Sequence, residues 1–212
     1  ASTPEEVRYN AWQARHALTT GLHGILHTHT RTAESVKAFV QITRYPFQSL
    51  SRDVIGEGLR GAGGQKPAND IWGLSTAEYA AVADPWPLNP KGELLLGLKI
   101  EDRHCLPNLD AIAAVPGIGF AEWGPGDMGM SFDEPDAHDP PYPQVMNDAR
   151  SRIKAALDAQ GIAFYSSWAD PSLTMEQRVD YSLDVLGVRM MGAPNKEWAD
   201  YGRKRTGRTM PV

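Results

Sequence analysis

The stretch Glu93-Leu94-Leu95-Leu96-Gly97-Leu98-Lys99-Ile100-Glu101 decides the fold. Side chains alternate faces along a strand, so Leu94, Leu96, Leu98 and Ile100 share one side. Four large aliphatics on one face suit packing against helices. The other face carries Leu95, Gly97, Lys99 and Glu101. Charged residues are very rarely buried without a partner or a metal. If the strand belongs to a barrel, this face lines the lumen, and barrel enzymes place their chemistry at the C-terminal ends of their strands.

Outward from this strand, β and α patterns alternate. Downstream come a helix over 107–114, a strand over 118–123, a helix over 144–159 and a strand over 161–166. A helix over 174–182, a strand over 185–191 and a last helix over 196–204 follow. Upstream, a helix over 4–20 opens with Thr3 as N-cap, Pro4 at its first position and Glu5 and Glu6 in its first turn. A strand over 24–29 and a helix over 32–43 come next, and Arg44-Tyr45-Pro46 stops the helix. Repeated units of this kind predict an α/β fold: a parallel sheet of five strands with helices outside. Residues 1–212 read as a single domain with loop insertions over 47–90 and 133–143, the first interrupted by a short helix over 76–83. Within the first insertion, Gly58-Leu-Arg-Gly-Ala-Gly-Gly64 follows no strand, so it reads as a flexible lid or a subunit contact rather than a phosphate loop.

The strand Ile118-Gly-Phe-Ala-Glu-Trp123 runs directly into Gly124-Pro125-Gly126-Asp127-Met128-Gly129-Met130-Ser131. Glycines at 124, 126 and 129 let the backbone approach a ligand, and successive N–H groups there could cradle a carboxylate. Asp127 lies in this turn, so Glu101 and Asp127 terminate adjacent parallel strands about 4.8 Å apart. Two carboxylates so close repel unless a cation lies between them, and a hard divalent ion that keeps some of its waters suits the position.

The run from Lys99 to Ser131, K-I-E-D-R-H-C-L-P-N-L-D-A-I-A-A-V-P-G-I-G-F-A-E-W-G-P-G-D-M-G-M-S, resembles the core of the HpcH/HpaI aldolase and citrate-lyase-like family. The order of an I-E strand end, an N-x-x-x-I-x-x-V-x-G link and a G-P-x-D-L-x-x-S turn is shared. The earlier G-I-L-H-T-H-T-R-T-A-E-S-V-K-A-F-V and R-Y-P resemble the fourth strand of that family and the helix after it. The resemblance implies a TIM (β/α)8-type barrel of which this chain supplies strands four to eight. It implies a metal-dependent class II aldolase, a carbon–carbon lyase acting beside the enolate of a 2-oxo acid such as pyruvate, with an aldehyde as the second partner. Glu101 and Asp127 would ligate Mg²⁺ or Mn²⁺, with Co²⁺ a further candidate. Gly124, Pro125, Gly126, Asp127 and Lys99 would bind substrate. A homo-oligomer is implied as well, since the family forms hexamers.

This chain departs from the family pattern in three ways. The first three strands, with the acid/base histidine and the arginine that steadies the enolate, have no counterpart, so these groups are expected upstream of Ala1. Lys99 stands where glutamine is common, and Glu122 stands where an apolar residue is usual. Lys99 and Glu122 are therefore expected to form an ion pair inside the barrel. An upstream segment or a second chain is expected to complete the barrel and cover the edge of the strand at 24–29.

Two rival functions come from the residues themselves. His27 and His29 form the H-x-H of amidohydrolase barrels, which would make a zinc hydrolase, but the other histidines, His16, His23, His104 and His138, end no strand. The missing strands would suit a non-catalytic assembly protein on a degenerate barrel. Composition is ordinary for a globular chain, 42% hydrophobic and 22% charged over 212 residues. The net charge of -5 argues against nucleic acid, and no apolar run approaches the roughly 18 residues of a membrane span. The polar opening ASTPEEVRYN does not read as a signal peptide, and the single Cys105 fits a reducing cytoplasm as an inert thiol. The chain opens at Ala1 inside a helical pattern, which points to processing or to a beginning that lies elsewhere.

Overall fold

The computed structural model describes residues 2–208; Ala1 and residues 209–212 of the predicted 1–212 domain lie outside the described residues. Strands β1 (Gly24–His27), β2 (Pro85–Trp86), β3 (Leu94–Ile100), β4 (Phe120–Trp123) and β5 (Ala163–Ser166) form one sheet. Its order is β1-β3-β4-β5, all parallel, with the short β2 beside the start of β3. Helices separate β1, β3, β4 and β5 along the chain, as the alternating pattern predicts, while β2 leads to β3 through a loop. Among the described residues the sheet is open, and β1 has β3 as its single neighbour.

The outer face of β3 is the centre of the core. Leu94, Leu96, Leu98 and Ile100 are fully buried, each contributing about 1.5–3 kcal/mol of hydrophobic stabilisation. The helix Ala33–Thr43 supplies Val36, Phe39, Val40 and Ile42 to the same core, and Gln144–Ala159 supplies Met146, Ala149, Ile153 and Leu157. Both sets follow the helical i, i+3, i+4 rhythm. On the inner face, Gly97 leaves room for the ring of its register partner Phe120, which a Cβ at Gly97 would meet at 2.2 Å. Trp123, beyond it on β4, is buried edge-on against Tyr142 with ring centroids 5.0 Å apart, which anchors the proline-rich insertion.

Several boundaries differ from the sequence reading. The first helix is two helices, Pro4–Tyr9 and Ala11–Thr19, with a break at Asn10; its start is as expected, a Thr3/Glu6 capping box. The expected strand over 185–191 is reduced to one parallel bridge, Tyr165 to Met190. The helix Met175–Asp184 and the left-handed Gly187 use up the chain first, and the N–H groups of Arg189 and Met190 both turn to the Phe164 carbonyl.

The 47–90 segment is also more ordered than a loop. It holds the helices Arg52–Ile55, Gln65–Trp72 and Thr76–Val82 and the strand β2. Tyr45, Ala68, Tyr79 and Ala83 make a small core of their own, and the buried Arg60 guanidinium lies over the Tyr45 ring at 4.6 Å. The ends of the excursion are tied together by a buried ion pair. Arg44 Nε donates to Asp84 Oδ1 at 2.7 Å and Nη2 to Oδ2 at 3.2 Å, while Nη1 reaches the Leu50 carbonyl at 2.7 Å.

Both Arg44 and Asp84 are about 1% exposed. Breaking a buried pair from one side strands a charge, so Arg44→Met should cost about 3–5 kcal/mol in chemical denaturation. Arg44→Met/Asp84→Leu should recover part of that loss. A single-mutant cost below about 1 kcal/mol, the range of surface pairs, would contradict the burial argument. Burial also pushes the Cys105 thiol up to about 12. It should therefore resist a thiol reagent in the native protein and react after denaturation; fast native labelling would show that this part of the core opens.

Candidate metal centre

Glu101 lies one residue past β3 and is 1% exposed. Its position is fixed from the neighbouring strand. β1 ends at His27, and the chain after it runs alongside the end of β3, where the Thr30 N–H donates to the Lys99 carbonyl at 3.1 Å. The turn places His29 in the left-handed region at φ 49°, an uncommon conformation for a residue with a Cβ. There the His29 N–H donates to Glu101 Oε1 at 3.0 Å, and His29 Nδ1 lies 3.5 Å from the same oxygen.

The Gly124-Pro125-Gly126-Asp127 segment, read as an open turn, is the first turn of a helix, Pro125–Ser131. Proline at the first helical position and Gly124 at the N-cap explain the start. Asp127 sits near the positive end of the helix dipole, a favourable place for a carboxylate. A Cβ on Gly124 would lie 2.7 Å from Glu101 Oε2, so only glycine leaves the buried carboxylate its space.

These elements bring three residues together: ligand-type atoms of His29, Glu101 and Asp127 all lie within 4.8 Å of one another. Glu101 and Asp127 were expected to meet. His29 joins them as a third donor, and its place in the H-x-H pair is the one sequence signal that pointed to it. The donor set is two carboxylates and an imidazole, a set that suits a divalent cation. Glu101 Oε2 is buried without a well-directed hydrogen bond, although the Lys99 ammonium is 3.0 Å away. A buried carboxylate oxygen left in that state is what a bound cation would satisfy, so the residues present fit a metal.

Lys99 does not pair with Glu122 as expected. Its ammonium lies 3.0 Å from Glu101 Oε2 and 4.0 Å from Asp127 Oδ2. Lys99 and Glu101 lie on the same face two residues apart, so the ammonium reaches Glu101 rather than its cross-strand neighbour Glu122. Burial works against the Lys99 charge, but the hydrogen bond and charge of Glu101, with the charges of Glu122 and Asp127, outweigh it and hold the pKa above the usual lysine range. Burial pushes Glu122 up, against the Ser167 hydrogen bond and the Lys99 charge.

Of the other histidines, His27 is buried and stacks on Phe39 at 5.0 Å, away from the cluster, because β1 ends there and the chain turns. Among the described residues His29 alone of the H-x-H pair joins the carboxylates, which removes the basis for a binuclear zinc hydrolase. His138, from the 133–143 insertion, packs against Gly126, where a Cβ would meet its Cδ2 at 2.9 Å, and its Nδ1 lies 3.0 Å from Asp139. No motif announced that position.

Comparison with known proteins identifies the relatives of this chain. The model of the HpcH/HpaI aldolase/citrate lyase family matches residues 5–180. A 2-keto-3-deoxy-L-rhamnonate aldolase from Klebsiella pneumoniae is 34% identical over 148 residues, 69% of this chain and 49% of that protein. A hydroxypyruvate/pyruvate aldolase from Pseudomonas aeruginosa is 30% identical over 207 residues, 87% of this chain and 68% of that protein. The chain thus spans about half to two-thirds of the length of these relatives. The crystal structure of an HpcH/HpaI aldolase/citrate lyase family protein from Burkholderia cenocepacia superposes with a TM-score of 0.65 over 93% of this chain and 68% of that one, at 19% identity. An HpcH/HpaI aldolase from Desulfitobacterium hafniense gives 0.63 over 93% and 66%, also at 19% identity. The fold and the family match lead to one conclusion: this chain belongs to the HpcH/HpaI aldolase/citrate lyase family.

Proposed function

We propose that this chain forms the metal-binding part of a carbon–carbon lyase, an aldolase that makes or breaks a bond beside the enolate of a 2-oxo acid such as pyruvate. The observation that carries the reading is the buried Glu101 carboxylate converging with Asp127 and His29, their ligand-type atoms within 4.8 Å of one another. The names of the relatives, aldolases of 2-keto-3-deoxy-L-rhamnonate and of hydroxypyruvate and pyruvate, support the substrate class. An aldehyde is the second partner.

Glu101 and Asp127 would hold Mg²⁺ or Mn²⁺, with Co²⁺ a third candidate and His29 an additional donor. When bound, such a cation supplies Lewis-acid polarisation of a ketone oxygen and neutralises charge developing beside it. The chain itself does the positioning. The N–H groups of Gly126 and Asp127 precede the first intrahelical bond, from Met128 N–H to the Gly124 carbonyl, so they are open to accept a substrate carboxylate. Gly124 and Pro125 shape that turn, and Lys99 adds positive charge on the same side. The His29 N–H fixes the Glu101 carboxylate.

In this reading the strands are the fourth to eighth of a (β/α)8 barrel, one domain with insertions over 47–90 and 133–143. An upstream segment or a partner chain adds the rest, with the acid/base histidine and the arginine. A groove of about 600 Å³ beside β1, lined by Val7, Ala14, Ile25, Leu26 and Phe39 among others, supports an element docking at that edge. The family likeness supports a homo-oligomer, and the lone buried Cys105 suits a reducing cytoplasm.

The test is Mn²⁺ titration of the chain, followed by 2-oxo-acid cleavage assayed with the barrel complete. Glu101→Ala and Asp127→Ala should each abolish specific Mn²⁺ binding and metal-dependent cleavage. Wild-type turnover by a metal-stripped Asp127→Ala protein would sink the assignment. Gly124→Ala should also weaken Mn²⁺ binding, because its Cβ drives the Glu101 carboxylate aside, while overpacking should cost about 1–3 kcal/mol of stability. Unchanged affinity in this variant would mean that Glu101 does not bind the ion in its observed position.

A further inference from the structure

Glu101 and Asp127 already have a cation between them, and it is the Lys99 ammonium, 3.0 Å from one carboxylate and 4.0 Å from the other. A divalent ion held by those carboxylates would press like charge against like at contact distance. Both cannot stay. The backbone of Lys99 is fixed by its pairing in β3, but its side chain is a flexible four-carbon stem, 26% exposed. The stem can swing, and the inner face of the sheet offers it a second partner.

That partner is Glu122. It is the register neighbour of Lys99 on β4, it faces the same side, and it is 5% exposed. Among the described residues no ion pair engages it, and Lys99 stands directly across from it. The other ionisable groups on this face are Tyr165, the register partner of Glu122 on β5, and His29 in the adjoining loop; neither offers a fixed negative charge. An ammonium displaced from Glu101 therefore meets one unpaired carboxylate within the sheet.

We propose that Lys99 is a displaceable internal counterion: a divalent cation at Glu101 and Asp127 evicts the ammonium, which then pairs with Glu122. This rests on the metal-site reading above. Lys99 keeps the metal-free carboxylates from repelling one another and weakens metal binding by the same contact. Glu122 recovers part of that affinity by receiving the displaced charge. The two residues that depart from the family pattern thus work as a unit.

The experiment is Mn²⁺ affinity, from calorimetry or from the electron paramagnetic signal of free Mn²⁺, with melting temperature measured with and without Mn²⁺. The variants are Lys99→Met, Lys99→Arg, Glu122→Gln and Lys99→Met/Glu122→Gln, with Glu101→Gln and Asp127→Asn as site controls. Lys99→Met should bind Mn²⁺ about tenfold more tightly than wild type, a loss of one close like-charge contact. It should also melt lower than wild type without metal. Lys99→Arg, which keeps the charge, should stay near wild type in affinity. Glu122→Gln should weaken binding when Lys99 is present and leave affinity nearly unchanged in the Lys99→Met background, the non-additivity expected of a coupled pair.

Lys99→Met binding no more tightly than wild type, while Glu101→Gln and Asp127→Asn abolish binding, would overturn the counterion and leave the metal site standing. An equal effect of Glu122→Gln in both backgrounds would overturn the re-pairing. Should Lys99→Met fail to fold, a tighter-binding Lys99→Arg would count against the proposal on its own. Mn²⁺ binding indifferent to Glu101→Gln and Asp127→Asn, or no binding by any variant, would remove the site reading and the proposal together.

Discussion

A strand buried on its outer face and paired along both edges has no place for charge except its inner face and its end. β3 is that strand, and its position governs the rest of the molecule. Its aliphatic side is fully buried, and β1 and β4 flank it in parallel register. Parallel pairing puts the C-terminal ends of all three strands at one rim. The loop after β1 therefore delivers His29, β3 delivers Glu101, and the helix after β4 delivers Asp127 to the same few ångströms. No long-range coincidence is needed to assemble them.

Electrostatics at this rim are unbalanced by design of the sequence. The carboxylates of Glu101, Glu122 and Asp127 surround a single ammonium, and all three act on it. In formal terms two negative charges remain, which one divalent cation would balance. Burial amplifies the imbalance, since charges in a low-dielectric setting are felt more strongly than in water. The upward shift of Glu122 reflects burial before any neighbour's charge.

What could be read in advance followed short-range rules. Alternation placed both faces of β3, and Thr3 signalled its helix start through a side-chain cap that the structure contains. The meeting of Glu101 and Asp127 followed from strand order. The misses needed three-dimensional information. Residues 185–191 carry a strand-like pattern, but the N–H groups of Val185, Leu186 and Val188 bond back to the end of the preceding helix, and one bridge is left to the sheet. The left-handed turn at His29 is held by a bond to Glu101, 72 residues away in sequence. The Lys99 partner differs from the expected one because a cross-strand neighbour and a same-face neighbour compete, and the ammonium settles 3.0 Å from Glu101. Of the helices within 47–90, the one over 76–83 was legible, while Arg52–Ile55 and Gln65–Trp72 were hidden by the glycines and prolines around them.

The Arg44–Asp84 pair joins residues 40 positions apart and meets the sheet next to β2. It turns everything between them into a closed excursion whose two feet stand at one fixed point. For such an excursion, doubling the length adds only about 0.6 kcal/mol of closure entropy. The excursion is thus insulated from the rim that holds Glu101 and Asp127: evolution can lengthen it, shorten it or rewrite its outer surface without shifting the register of β3. Diversification among descendants of this chain should therefore collect between those feet, where geometry is cheapest to change.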